Sequence, residues 1–155
     1  NEEKKLLNSK VPLVVKISPD IHEKEVSIIS DLLLKFDISA VIISNSTDTT
    51  RENLININKL EKGGLSGKPL EKKSNNLISK FYEILKGKVI IIGVGGVDSG
   101  KSAYEKILRG ANLIQLYTGM VYQGPNIASK ISEELINILE KEGVKNISDI
   151  IGNQK

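Results

Sequence analysis

The sequence predicts an α/β fold built on a parallel sheet, and three observations carry that prediction. Four short runs rich in β-branched residues are continuously apolar: Val11–Ile17 (VPLVVKI), Ile38–Ser44 (ISAVIIS), Val89–Val94 (VIIIGV) and Asn112–Tyr117 (NLIQLY). Continuous rather than alternating runs suit strands buried on both faces, the habit of parallel sheets. Amphipathic helical patterns separate these runs at the spacing of right-handed βα units. Polar residues and glycines gather at the carboxyl ends of the runs, where parallel α/β folds bind their ligands.

The elements follow in order. After the first run, Asp20 with Glu23 reads as a capping box for a helix whose apolar positions are Ile28, Ile29, Leu32, Leu33 and Phe36. His22 reads as an exposed residue of its first turn. The second run is followed by an unusual connection, Asn45–Pro69, which is too long for an ordinary βα loop and so is expected to be functional or disordered. The next helix carries Leu77, Ile78, Phe81, Ile84 and Leu85, with Lys72 and Lys73 on a solvated face. The third run leads into a helix with Ala103, Tyr104, Ile107 and Leu108, stopped at Gly110. The fourth leads to one with Ile127, Ile131, Leu135, Ile138 and Leu139, stopped at Gly143. Four βα units allow either a small doubly wound sheet or half of a (β/α)8 barrel, since a whole barrel takes about 250 residues and this chain has 155.

Composition narrows the chemistry. The chain has no Cys and one His, His22. That excludes a disulfide scaffold, a thiolate zinc site and a Cys nucleophile, and it argues against a Ser-His-Asp triad or a multi-His metal centre. The net charge of +3 is small, and the basic residues are mostly lysines spread along the chain. No basic stripe with interleaved aromatics marks a nucleic-acid binder. No apolar run reaches the length of a membrane span, and the start, Asn1–Lys5, lacks both the apolar segment of a signal peptide and an initiator Met, so a processed or truncated chain is expected.

The strand ends hold the candidate site. Gly95 and Gly96 follow the third apolar run, and glycines at such a turn let backbone N–H groups approach an anion. The spacing GxGG is not the dinucleotide fingerprint. Tyr117 and Thr118 end the fourth run; in barrels, phosphate sites are often shared by two successive strand ends. Lys16, at the end of the first run, would place a fixed positive charge beside a ligand. Ser44 ends the second run, and after it Asn45 and Ser46 supply an amide and a hydroxyl suited to orienting a planar polar ligand. Gly67 lies in the segment Gly63–Pro69 of the long connection.

Taken together, VPLVVKISPD, the SNST turn, GGLSGKPL, IIGVGGVDSG, GANLIQLYTGM and the terminal ISDIIG resemble the C-terminal half of dihydroorotate dehydrogenase. The resemblance is to class 2, the membrane-associated, quinone-linked type, and it runs from Val11 to Gly152. GGLSGKPL and QLYTG are its most specific pieces. The chain departs from the family at Ser46, where Thr is usual, and at Ser44, where Thr is frequent; serine keeps the hydroxyl in both places.

The resemblance implies a (β/α)8 barrel carrying FMN, with this chain supplying units five to eight: residues 1–10 a flank, 11–152 the half-barrel and 153–155 a tail. It implies that Lys16, Ser44, Gly67, Gly95, Gly96, Tyr117 and Thr118 contact the flavin or its phosphate, and that Asn45 and Ser46 hydrogen-bond dihydroorotate or orotate. The implied reaction oxidises dihydroorotate to orotate in pyrimidine biosynthesis, with a quinone reoxidising the flavin. The proton acceptor of this class is a serine on an earlier strand-end loop, so no catalytic base is expected among these residues, nor are the helices that form the quinone tunnel and touch the membrane. The expected partner is the upstream half of the barrel. A non-catalytic half-barrel that binds phosphate ligands is the competing reading. A different phosphate-binding barrel enzyme is disfavoured, because a generic phosphate site has no use for the long GGLSGKPL loop.

Overall fold

Each apolar run becomes a strand, trimmed at its ends: β1 (Val14–Ile17), β2 (Ala40–Ile43), β3 (Ile90–Val94) and β4 (Leu113–Gln115). The computed structural model describes residues 2–6, 10–49, 51–52 and 54–154. Residues 1 and 7–9 of the expected flank and 155 of the expected tail lie outside the described residues. A short helix α1 (Glu2–Leu6) occupies part of the flank. Between and after the strands come α2 (Glu23–Lys35), α3 (Glu71–Leu85), α4 (Gly100–Leu108), α5 (Thr118–Gln123) and α6 (Ile127–Lys141). The sequence pattern did not reveal α1 or α5, which are too short to develop an apolar period.

All the strand pairs are parallel, and the sheet order is β1-β2-β3-β4 with no reversal. That order decides between the two architectures. A doubly wound sheet reverses direction at a switch point and carries helices on both faces, whereas a barrel advances one strand at a time with all helices outside. The register aligns Ile17, Ile43, Gly93 and Ile114 in one row and Lys16, Ile42, Ile92 and Leu113 in the next. Neighbouring rows face opposite sides of the sheet. The first row and its equivalents meet the helices: Val41, Ile43 and Ile91 pack with Leu77, Ile78, Phe81 and Leu85 of α3 in the main core. The second side lies open, with Val14, Lys16, Ile90 and Leu113 exposed. Four βα units of a (β/α)8 barrel look like this when the interior face has nothing opposite it.

The same incompleteness explains a departure from the expected pattern in α2. Its buried residues are Val26, Ser30 and Leu33, whereas Ile28, Leu32 and Phe36 are exposed. The helix packs against α3, and because β1 is the edge of the sheet no preceding βα unit stands on its other side among the described residues. Ile84 of α3 is also partly exposed. A second, smaller core joins Val97 and Ala103 to Ile127 and Ile131 of α6.

The helix ends are set locally. Asp20 does not cap α2. The cap is His22, whose backbone N–H donates to Glu25 Oε2 at 2.6 Å, so the box sits two residues later than the pattern suggests. Ser99 caps α4, accepting from Ser102 N at 3.3 Å while its own N–H donates to Ser102 Oγ at 3.0 Å. Gly143 ends α6 in the left-handed region, with Gly143 N donating to Glu140 O and Val144 N to Leu139 O. At the amino end of the sheet, the terminal ISDIIG segment folds back, and Tyr82 Oη donates to Ile151 O at 2.9 Å. That motif is a structural staple, remote from the strand ends that carry the polar residues.

Candidate functional site

At the carboxyl end of the sheet the strand-end loops enclose a cleft of about 630 Å³, within the size range of small-molecule sites. Lys16, Ser44, Asn45, Ser46, Gly67, Gly95, Gly96, Tyr117 and Thr118 all line it. The structure therefore brings together every residue singled out from the sequence. These residues come from β1, the β2 turn, the long connection, the β3 turn and the start of α5, so the cleft exists only because the strands are in register.

The β3 turn forms one wall. Gly95 and Gly96 are both buried and both have positive φ, at 112° and 77°. A Cβ on Gly96 would run into Glu71, and one on Gly95 would press on Leu70 and Ser74. At Gly96 conformation and space both exclude a side chain, and at Gly95 the conformation disfavours one that would also be tightly packed. The backbone N–H groups of Gly95, Gly96, Tyr117 and Thr118 donate to no partner among the described residues. Gly95 and Gly96 are buried, Thr118 is half-buried and Tyr117 exposed, and four N–H groups converging at a glycine turn can donate to an anion that enters the cleft.

The described residues of the long connection form the second wall and are held by contacts among themselves. Thr47 and Leu65 pair in both directions, at 3.0 and 2.8 Å. The Arg51 guanidinium donates to the carbonyls of Lys59 at 2.9 Å, Glu61 at 2.6 Å and Gly63. Gly67, at φ 79°, lies so close to α5 that an added Cβ would be 2.8 Å from Thr118 Cγ2. Ser66 Oγ and Thr118 Oγ1 are 2.9 Å apart and tie the two walls together. Lys68 bonds to Glu71 at 2.8 Å and Asp98 at 3.3 Å, closing the rim beside the β3 turn.

Lys16 and the β2 turn form the floor and the open side. Lys16 is exposed, where the sequence suggested a lysine at a buried strand end, because the interior face above it is uncovered. Ser44 is buried, its N–H donating to Val94 O at 3.2 Å and its hydroxyl to Asn45 O at 3.1 Å. Asn45 N donates to Ile17 O at 2.9 Å, which fixes the turn to β1 while the Asn45 side chain stays exposed.

Three residues near the cleft escaped the sequence reading. Asp20 accepts hydrogen bonds from Thr47, Asp48 and Thr49 and pairs with Lys73, so Lys73 is not on a solvated face. Lys106 is fully buried between α3 and α4, where Nζ donates to Asn75 Oδ1 at 2.7 Å and Ser74 Oγ at 3.1 Å. Burial pushes its ammonium down to about 8, and the neighbouring Glu71 only partly restores it. Ser74 Oγ in turn donates to Val94 O at 2.6 Å, just before the glycine turn. A signal for Lys106 existed: it lies three residues after Ala103 and one before Ile107, on the apolar side of its helix. Among the described residues no cluster of His, Cys, Asp and Glu could hold a metal ion, and no helix is long and apolar enough to cross a membrane.

Comparison with known proteins gives a consistent answer. The family model for dihydroorotate dehydrogenase matches residues 2–139. The chain is 45% identical over 143 residues to the mitochondrial dihydroorotate dehydrogenase (quinone) of Arabidopsis thaliana, covering 91% of this chain and 31% of that protein. It is 52% identical over 126 residues to the dihydroorotate dehydrogenase (quinone) of Buchnera aphidicola subsp. Schizaphis graminum, covering 81% of this chain and 37% of that one. Among solved structures, DHODH of Eimeria tenella in complex with ferulenol superposes with a TM-score of 0.90 at 39% identity, covering 94% of this chain and 39% of that chain. The chain thus spans between three and four tenths of the length of these relatives.

Proposed function

The chain belongs to the dihydroorotate dehydrogenase family, and from that membership we propose that it supplies the FMN-binding half of an enzyme that oxidises dihydroorotate to orotate and passes the electrons to a quinone. The observation that carries the proposal is the convergence of a cationic side chain, an anion-ready glycine turn and an amide–hydroxyl pair on one cleft.

The residues fit FMN. Free amides at Gly95, Gly96, Tyr117 and Thr118, two of them on a glycine turn pressed against α3 with no room there for a side chain at Gly96, suit its phosphate. Ser44, Gly67 and Lys16 would hold the flavin, and the Lys16 charge would favour a reduced, anionic ring. When bound, FMN would supply the acceptor for the hydride, which carries both electrons, while the accompanying proton would go to the base in the upstream half. Asn45 offers an amide that both donates and accepts, and Ser46 a hydroxyl, so the pair can orient the carboxylate and ring amides of dihydroorotate. The proton acceptor is assigned to the upstream half of the barrel, together with the quinone site and the contact with a membrane surface. Residues 11–152 form the half-barrel unit.

The test is anaerobic addition of dihydroorotate to the complete barrel loaded with FMN. The flavin absorbance is expected to bleach as orotate forms, and to recover on addition of a quinone. A flavin that stays oxidised in excess dihydroorotate would refute the proposal.

A further inference from the structure

We propose that Asp20 is a positioning residue for the turn that carries Asn45 and Ser46, fastening it from behind to β1, α3 and the Gly63–Pro69 segment without touching substrate or cofactor. The proposal rests on the functional reading above in so far as orotate is one of its probes.

The carboxylate of Asp20 gathers the next three residues of the chain after Ser46. Thr47 Oγ1 donates to Oδ1 at 2.5 Å, Asp48 N donates to Oδ2 at 2.9 Å, and Thr49 Oγ1 donates to Oδ1 at 2.9 Å. Lys73 of α3 forms an ion pair with the same carboxylate and donates to Thr49 Oγ1 at 2.8 Å and Thr47 Oγ1 at 3.2 Å. One side chain from the β1 loop therefore meets the β2 turn and α3 at a single point. Asp20 is not among the residues lining the cleft, so its role is indirect.

The geometry passes from this point to the cleft in two short steps. Thr47 is fully buried, and its backbone pairs in both directions with Leu65. Ser46, the preceding residue, lies against Gly64 so closely that an added Cβ there would collide with the serine side chain. Ser46 is thus confined between a glycine backbone and a threonine that Asp20 holds. A shift of Thr47 moves Ser46 and Leu65 together, and with them the wall that continues to Gly67. Hydrogen bonds to a charged carboxylate are about twice as strong as neutral ones, which suits a group that must hold three loops in one arrangement. Partial burial works to raise the Asp20 pKa, but the bonds from Lys73, Thr47, Asp48 and Thr49 outweigh it and hold the carboxyl well below the usual carboxylate range. These bonds therefore favour the charged form of the carboxylate, the form that can accept from all four donors.

The experiment compares the complete, FMN-loaded barrel with its Asp20→Asn and Thr47→Val variants. Each is measured for flavin content, orotate affinity by titration of the flavin spectrum, KM for dihydroorotate, and amide hydrogen exchange at residues 45–49. For Asp20→Asn the expected result is full flavin content, orotate affinity and KM weakened about 10-fold (about 1.4 kcal/mol), and faster exchange at the turn. Thr47→Val should weaken orotate affinity several-fold with flavin retained, and it decides the matter if Asp20→Asn does not load flavin. A purely structural role would lower the melting temperature while leaving orotate affinity and turn exchange as they were. That result, or wild-type values throughout, overturns the proposal. If the parent enzyme itself ignores orotate, the functional reading falls, and the hydrogen-exchange comparison alone decides the positioning role.

Discussion

Lys106 offers a measurement whose sign is fixed by the structure. Its ammonium is fully buried, and its hydrogen-bond partners, Asn75 and Ser74, are neutral. Burial lowers its pKa from 10.5 to about 8, against the partial opposition of Glu71 and with a small further push from Lys68. Below about pH 8 both the folded and the unfolded chain bind the proton, so the folded state carries the full desolvation cost. Between about 8 and 10.5 the folded chain releases the proton while the unfolded chain keeps it, so stability rises with pH. At 1.36 kcal/mol per pH unit the whole rise is at most about 3 kcal/mol. Lys106→Met removes this titration and leaves the others in place. The free energies of urea unfolding of the two proteins, measured from about pH 7 to about pH 10.5, are therefore expected to diverge, the parent gaining up to about 3 kcal/mol on the variant. A difference between the two that stays flat across that window would refute the assignment of a strained, buried ammonium at this position.

Two further outcomes follow from the cleft. Lys16→Ala in the complete barrel is expected to lower flavin affinity or slow flavin reduction by dihydroorotate; unchanged flavin content and unchanged reduction in a stopped-flow trace would remove Lys16 from the site. Gly96→Ala is expected to cost about 1–2 kcal/mol for the left-handed conformation alone, with more from the collision with Glu71, and to abolish retention of FMN on gel filtration. A variant that keeps its flavin would show that the turn does not cradle the phosphate.

The strands and the cleft residues were legible in the sequence because both depend on short-range patterns. Four apolar runs locate the strands, parallel pairing puts their carboxyl ends side by side, and whatever polar residues stand there must meet. Lys16, Asn45 and Gly96 could be assigned to one cleft without knowing a single distance. Asp20 and Lys73 could not. They are 53 positions apart, and each has a plausible local role, a helix cap and a solvated helix face. A local reading prefers those roles because the partner that replaces them arrives only through the tertiary fold. Lys106 was hidden differently: its position on the helix is apolar by period, but its residue type argues for solvent, and only the acceptors on α3 reconcile the two. The exposed half of α2 was misjudged because an apolar period reports that a face is meant to be covered, without saying by what.

Ile28 and Leu32 on α2, Phe36 at its end, and Val14, Ile90 and Leu113 on the sheet are among the apolar residues left exposed at the edge and on the interior face. They lie where a preceding βα unit and the opposite strands of a closed barrel would stand. Lys16 shares its row with Ile42, Ile92 and Leu113, so the cation at the cleft floor opens onto that same uncovered face. In a closed barrel the row would be screened from water, and the Lys16 charge would act on a ligand through a medium of lower dielectric, where an electrostatic contact is several times stronger than in solvent. The glycine turn needs no such completion, because its free amides are fixed by β3, α3 and α5 within this chain. On the proposed reading, the anion site is thus held within these four units, whereas the Lys16 charge would gain its full effect on a flavin only in a closed barrel.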